Sequence, residues 1–544
     1  MSKIAHYLQE HVTGEVLSSP DIRRHFSTDS SIFAVVPTLV VYPHDENDVR
    51  KAARFSWQLA ERNRIMPITA RGAGVDMGGA ALGSGMLLVF PAHMNRIVEL
   101  DTKSGSVTVE PGIGYGKLQQ TLMTHGRFLP PYPASLEYST IGGAVANNAS
   151  GERSVKYGDT RSFVKSLRVV LANGEVITTG RLSKRDLNKK LGLATFEGEI
   201  YRSLDTLIEE KYDLVRNFQL PVAKNTAGYY LSDVKRDDGS IDLTPLIVGS
   251  QATLGIITEV TLDTEEHNPE TTLFVASFDS LASAQDAILE LRKLTERPAI
   301  IEMIDGNLLK QVELISPGKL KNLMPKPYPP IVLLVEFDDT DKRQKRAAKR
   351  AKKIFDTFAT ATQVETELDK QSRLWKIRHL SAVSATHAEG QAKALPIIDD
   401  GVVPVDKLSE FITKLYEICQ RNNVQPALWG HAGDGNIRLQ PHLDLGQIGD
   451  RQKVFKLMQE YYELVISLGG TTSGEYNDGR LRAPYLKQLY GDEMYAVFQK
   501  VKQIFDPYNM LNPGVKIDVT LEDIKPLVRS EYGQGHPYEY LPRS

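Results

Sequence analysis

The sequence predicts an α+β protein made of two unlike halves, on three observations. Short apolar strands in the N-terminal half are separated by glycine-dense loops. Near Thr264 the pattern changes to strand–helix–strand twice over, which fits an antiparallel sheet with helices on one face. Further amphipathic helices follow.

Thr38–Tyr42 reads as a buried strand ended by Pro43, and Asp45–Asn63 has helical spacing with an acidic, Asn-containing start. Ile65–Ala70 is the next strand, Gly72–Gly85 a glycine-dense loop and Met86–Phe90 another buried strand. Ser106–Glu110 leads into a Pro111-Gly112 turn and a helix over Tyr115–His125. Thr140–Gly151 is a second loop of small residues. Leu167–Leu171 and Val176–Thr179 flank Asn173-Gly174, the chemistry of a hairpin turn. Leu246–Gly249 and Gly255–Leu262 are expected as the last strands of this half. Beyond Thr264, strands over 272–278, 300–304, 331–337 and 361–367 alternate with helices over 282–294 and 341–357. Helices are expected over 372–387, 406–422, 451–468 and 492–505, and the tail from Asp518 is polar and aromatic.

The chain has 544 residues, 65 Lys+Arg and 68 Asp+Glu. A net charge of −3 gives no global drive towards nucleic acid or anionic lipid. Cys419, the only cysteine, excludes an internal disulfide, a four-cysteine zinc site and an iron–sulfur cluster held by this chain alone. No apolar run reaches the roughly 18–20 residues of a membrane span. The N-terminus lacks a signal peptide's apolar core, so a cytoplasmic enzyme is the default. Lys342–Lys353 carries eight basic residues in twelve. It reads either as a solvated helix face or as a dock for an acidic electron-transfer partner or anionic lipid, a peripheral contact with the inner membrane face.

Arg71-Gly72-Ala73-Gly74-Val75-Asp76 follows a strand. Glycines there let the backbone turn its N–H groups towards phosphate oxygens, although a tight connection would look the same. It is not a Rossmann fingerprint, because no helix follows. The second loop, Pro133–Gly143 running into Ala146–Gly151 and Tyr157-Gly158, raises the odds of one long crevice suited to a dinucleotide. Gly249–Thr258 supplies a third such stretch. His431-x-x-Asp434-Gly435-Asn436 closes a strand expected from Pro426, and alone it could be no more than a turn.

With these loops, Trp375-Lys376-Ile377-Arg378, Gly430–Asn436, Ser473-Gly474-Glu475 and Asn512-Pro513-Gly514, the chain resembles a known flavoprotein family. It is similar to the flavin-dependent oxidases and dehydrogenases of the vanillyl-alcohol oxidase type, over about Ile32–Lys516. Within them it resembles the group of D-lactate dehydrogenase and the flavin-binding chain of glycolate oxidase. The resemblance implies a PCMH-type FAD-binding domain of two α+β subdomains (1–265), a ferredoxin-like cap domain (266–480) and a C-terminal segment (481–544) returning to the first. It implies FAD held by Arg71, Gly72, Ala73, Gly74, Val75 and Asp76 in the first loop. Pro133, Ser135, Thr140, Gly142, Gly143, Asn147, Asn148, Ser150, Gly151 and Tyr157 serve in the second, with Ile257 and Asn512 elsewhere. Val75 stands where the family has Thr, so one hydroxyl donor is lost. No His or Cys in the first loop offers a covalent attachment point, so FAD is expected to be non-covalent.

In many relatives two imidazoles and a carboxylate hold a divalent metal that polarises a 2-hydroxyl group, and a further His takes its proton. Here Arg438 and Tyr476 replace two of those histidines, leaving His431 and Glu475. Those are too few for a zinc site, so no metal is expected and Arg438 takes over its electrostatic role, pairs with Glu475 or binds a substrate anion. His431 is the best remaining base and Tyr476 the second choice. Arg378 matches the position that binds the substrate carboxylate in relatives. Tyr229 matches a segment that faces the flavin, Lys393 adds charge near the site, and His379 and His387 read as structural. Asp478-Gly479-Arg480 resembles a subgroup whose longer members carry a fused iron–sulfur domain. The implied reaction is oxidation of a small D-2-hydroxy acid such as D-lactate or glycolate by hydride transfer to flavin. Electrons then leave to a separate iron–sulfur or electron-transfer protein, a quinone or oxygen. Alcohol or sugar oxidation in the same fold, or a flavin-binding electron-transfer or scaffold subunit with a decayed substrate site, are the alternatives.

Overall fold

A computed structural model describes residues 3–321, 323–386, 388–533 and 540–541; His387 lies outside the described residues. The chain forms three main sheets. In the first, Leu39–Tyr42, Met86–Val89 and Ile68–Arg71 run parallel, and Glu15–Leu17 adds antiparallel to Leu39–Tyr42. Helix Glu46–Ala60 makes the crossover that parallel strands require. Asp45 starts it by accepting the N–H of Asp48. The second sheet is antiparallel, in the order Ile97–Asp101, Ser106–Val109, Ile256–Asp263, Val164–Val170, Val176–Thr178.

The third sheet begins at Thr272. Strands Thr272–Phe278, Ile300–Asp305, Ile331–Phe337 and Ala361–Glu365 take the spatial order fourth, first, third, second, all antiparallel, which is the ferredoxin-like arrangement. A hairpin of Trp429–His431 and Asn436–Arg438 extends it beside Ile300–Asp305, with Gly430 opposite Met303. That register brings His431 onto Glu302, a carboxylate in the middle of the sheet, with Arg438 one strand further out.

Three expectations are corrected. The sheet carries helices on both faces, not one: Leu281–Arg292, Asp341–Phe358 and Leu408–Arg421 pack on one side, Gly306–Ile315 and Leu368–Thr386 on the other. Alternate residues of its strands are apolar on both sides, so both faces need cover. Leu246–Gly249 is not a strand, because Pro245 opens a short helix, Thr244–Ile247, at the position where a missing N–H costs nothing. Thr140–Gly151 is not all loop: Thr140 caps a helix over Ile141–Asn147 by accepting the N–H of Gly143, and Asn148, in the left-handed conformation, ends it.

The C-terminal segment returns to the first sheet. The Ile68 N–H donates to the carbonyl of Met510 (2.8 Å), and the Asn512 N–H donates to the carbonyl of Ile68 (2.8 Å). Helix Leu486–Phe505 buries its apolar face with residues of the second sheet. The two halves are clasped by charge: Arg153 pairs with Glu336 (2.7 Å) and Asp338 (2.9 Å), and Lys156 with Asp338 (2.5 Å). Several cations of helix Asp341–Phe358 pair locally, Arg350 with Glu296, Lys345 with Asp341 and Lys352 with Asp356. Among the described residues no helix is long and apolar enough to cross a membrane.

Candidate active site

A crevice of about 310 Å³ runs between the sheets. The first glycine loop forms one end, the helix of the second loop one wall, and Trp429, Arg438, Gln440, Glu475 and Tyr476 the other end. Of the expected cofactor residues, Arg71, Gly72, Ala73, Gly74, Val75, Asp76, Pro133, Ser135, Thr140, Gly142, Gly143, Asn147 and Ile257 line it.

The lining suits a dinucleotide. Among the described residues the N–H groups of Ala73, Gly74 and Val75 meet no protein acceptor, which leaves a donor nest for phosphate. The Oγ of Ser139, buried on the same wall, also has no partner. Asp76 braces the loop rather than offering charge to a ligand: it accepts from the N–H groups of Gly78 (3.0 Å) and Ala80 (2.7 Å) and from Asn147 Nδ2 (2.9 Å). Arg71 folds beneath Gly74 and donates to the carbonyls of Thr28 and Ala81.

Five expected cofactor residues lie behind the wall rather than on it. Asn148 is occupied with Asp159 and the Arg161 N–H. Ser150 is fully buried with an unpartnered Oγ, and Gly151 presses on the Tyr132 carbonyl, where a Cβ would come within 2.0 Å. The Tyr157 hydroxyl donates to Asp338 (2.9 Å), so it belongs to the clasp between the halves. Asn512 holds the carbonyls of Ala80 (2.9 Å) and Gln251 (2.8 Å) from behind.

At the far end the charged side chains form a buried ladder. Arg378 Nε and His431 Nδ1 sit on the two oxygens of Glu302. His431 Nε2 lies 3.0 Å from Glu475 Oε1 and 2.9 Å from Arg438 Nη2. Arg438 also bonds Glu475 Oε2 and the Tyr476 hydroxyl, and lies over the Tyr476 ring. Lys224 Nζ reaches Glu475 Oε1 at 2.5 Å. Arg438 Nε, buried in the crevice wall, has no acceptor.

The charges set one another. Burial alone would raise both carboxyls. Instead His431 and Arg378 hold Glu302 at about 2, and Arg438, His431 and Lys224 hold Glu475 well below the carboxylate range. Burial works against a charged His431, but Glu302 and Glu475 outweigh it and raise its pKa. Burial pushes the Tyr476 phenol up, and Arg438 does not offset this.

These placements revise the expected roles. Arg378 does not border the crevice; its guanidinium is spent on Glu302 and on Ser381 (2.9 Å). Tyr476 stays a neutral hydroxyl, a donor and not a base. His431 stands one layer behind Glu475. Tyr229 faces a different cavity, its hydroxyl against Thr253 (2.7 Å). His379 is exposed, and Lys393 lies in strand Ala392–Ala394 off the crevice wall. A divalent metal does not fit: Arg438 Nη2 fills the space between His431 and Glu475 with a fixed positive charge. No group of three His, Cys, Asp or Glu side chains among the described residues could hold such an ion. Glu302 and Lys224 were not anticipated, and Gln251 was expected only as part of the third small-residue stretch, Gly249–Thr258. Gln251 ties Asn147 (2.8 Å) to the Gly479 N–H (2.9 Å) across the crevice floor. Gln251 and Ala252 are both left-handed, at φ 52° and 58°, and turn the side chain of Gln251 towards these partners.

A glycine-loop crevice closed by a ferredoxin-like sheet is the architecture of FAD-linked oxidoreductases. The chain belongs to that family: residues 37–180 match the FAD binding domain, and residues 267–515 match the C-terminal domain of FAD linked oxidases. FAD is its cofactor. The chain is 30% identical to D-2-hydroxyglutarate dehydrogenase of Escherichia coli (strain K12) over 93% of its length, but spans only 50% of that relative. It is 27% identical to glycolate oxidase subunit GlcD of Bacillus subtilis (strain 168), covering 88% of each chain. It is 26% identical to D-lactate dehydrogenase of Archaeoglobus fulgidus, covering 88% of this chain and 90% of that one. In fold it is similar to 4-ethylphenol oxidase from Gulosibacter chungangensis (TM-score 0.67, 14% identity, 96% and 99% covered). Substrate-bound p-cresol methylhydroxylase is comparably similar (TM-score 0.67, 15% identity, 95% and 96% covered).

Proposed function

We propose that this chain oxidises a small D-2-hydroxy acid, the D-lactate, glycolate or D-2-hydroxyglutarate class named among its relatives. In this reading FAD binds non-covalently between residues 1–265 and the returning segment 481–544, and residues 266–480 cap it. The observation that carries the reading is Arg438. It is a buried guanidinium in the wall at one end of a flavin crevice, with an Nε–H that has no acceptor.

When bound, FAD supplies the acceptor for a hydride from C2 of the substrate. The chain supplies the rest. Arg438 and the Tyr476 hydroxyl hold the substrate's carboxylate and hydroxyl oxygens by charge-assisted hydrogen bonds. The hydroxyl proton crosses Glu475 to neutral His431 Nε2. The imidazole suits both states. Nδ1–H donates to Glu302 throughout, while Nε2 accepts from Arg438 when neutral and faces Glu475 when protonated. Arg378, through Glu302, fixes that tautomer. Bound FAD would have to be reoxidised by a separate acceptor.

Anaerobic addition of D-2-hydroxy acids to the purified yellow protein tests this. Bleaching by one of them is expected. Bleaching only by simple alcohols or sugars, or by none of these compounds, would replace the reading with one of its rivals.

A further inference from the structure

Each turnover of the proposed reaction leaves one proton in the ladder behind the crevice, whose mouth substrate and FAD then fill. The ladder has two ends. On the Nδ1 side of His431 it runs to Glu302 and Arg378 and stops in the core of the third sheet. A guanidinium does not give up a proton, so that end is closed. On the Nε2 side lies Glu475, whose other cations are Arg438, equally fixed, and Lys224.

Among the described residues, Lys224 is the one side chain bonded to a carboxylate oxygen of Glu475, beyond His431, that can both lose and regain a proton. Its side chain is 5% exposed, with Nζ 2.5 Å from Glu475 Oε1, 3.3 Å from Ser154 Oγ and 3.6 Å from Asp434 Oδ2. Lys224 also lines a second cavity of about 380 Å³, together with Asn225, Tyr229, Tyr230, Arg161 and Asp159. That cavity shares no lining residue with the crevice. The loop carrying Lys224 is anchored to the Glu475 segment: the Thr226 N–H donates to the Ser473 carbonyl (3.0 Å), and the Thr471 hydroxyl to Asn225 Oδ1 (2.7 Å).

We infer that Lys224 relays the substrate's hydroxyl proton from Glu475 into the second cavity, making that cavity the proton exit of the oxidation proposed above. The proton on His431 Nε2 moves to Glu475 Oε1. Lys224 releases one N–H proton to water in the cavity and takes the proton from Glu475 in its place. One proton leaves, and every group returns to its starting state.

The test is an anaerobic single turnover with the hydroxy acid that bleaches the flavin, followed by flavin absorbance and a pH-indicator dye. Lys224→Arg keeps the positive charge beside Glu475 but cannot relay. It should bind FAD with an unchanged spectrum and melting temperature, and proton release should slow at least tenfold. Lys224→Ala should show the same lag, shortened by millimolar methylamine, which fits the space left by the side chain. Should either variant fail to fold, the other decides. Proton release at the wild-type rate in a folded variant would overturn the relay. Lag in Lys224→Ala but not in Lys224→Arg would reduce Lys224 to an electrostatic partner and also overturn it. If no hydroxy acid bleaches the wild-type protein, the underlying reading fails and the relay falls with it.

Discussion

Replacing Arg438 by methionine removes a guanidinium that is 5% exposed and bonded to Glu475, His431 and Tyr476 at once. Methionine fills most of the volume, so the cost is electrostatic and not a cavity. Breaking a buried pair by removing one partner costs about 3–5 kcal/mol, because the remaining charge loses its compensation. Glu475 keeps Lys224 and His431, which places the cost near the lower bound, about 3 kcal/mol. That is roughly a hundredfold in the folding equilibrium. Urea unfolding of the FAD-loaded protein measures it, with Glu475→Gln and the double variant completing a cycle. The double variant should be less destabilised than the two singles summed, with a coupling of about 2 kcal/mol. A loss under about 1 kcal/mol for Arg438→Met, or additive singles, would refute the account of Arg438 as the charge that completes the ladder.

Further outcomes follow from the same geometry. Because its two carboxylates raise the pKa of His431, the imidazole is protonated below that raised value and becomes a base only above it. kcat/KM for hydroxy-acid oxidation should therefore climb with pH at a point above that of an ordinary histidine, and Glu302→Gln should shift the climb to lower pH; a pH profile unmoved by Glu302→Gln would dismiss the dyad. Activity should survive dialysis against EDTA, whereas the double change Arg438→His, Tyr476→His should create metal dependence; metal analysis of the purified proteins checks both. Flavin should appear intact in the supernatant after acid or heat denaturation, and a yellow pellet would point to a covalent link.

The sequence was a good guide where structure is local. Asn173-Gly174 lies at its hairpin turn, and the first glycine loop lines the crevice it was expected to line. The alternation of strands and helices after Thr264 matches the third sheet. It was a poor guide where function depends on packing between distant segments. Glu302 looks like one of two acidic residues in an otherwise apolar strand, Ile300–Asp305, and only the register with Trp429–His431 and the packing of helix Leu368–Thr386 give it His431 and Arg378 as partners. Lys224 sits 251 residues from Glu475 in a stretch without regular structure, so no spacing rule joins them. Arg378 was recognised by position, but a motif does not say which way a side chain turns. Glu302 supplied a competing anion that the motif could not reveal.

The returning segment has a consequence for how the protein is made. Strand Ile68–Arg71 and the first glycine loop are held from behind by Met510 and Asn512, through Ile68, Thr69 and Ala80. Thr69 and Asn512 are 443 residues apart in the chain. At roughly 5–20 residues per second, a ribosome needs about 20–90 s to deliver the second after the first. During that interval the glycine loop lacks its support, and the nascent chain has no finished cofactor cradle. Flavin loading thus waits until Asn512 has been made, and a fragment ending at residue 480 should retain none after gel filtration.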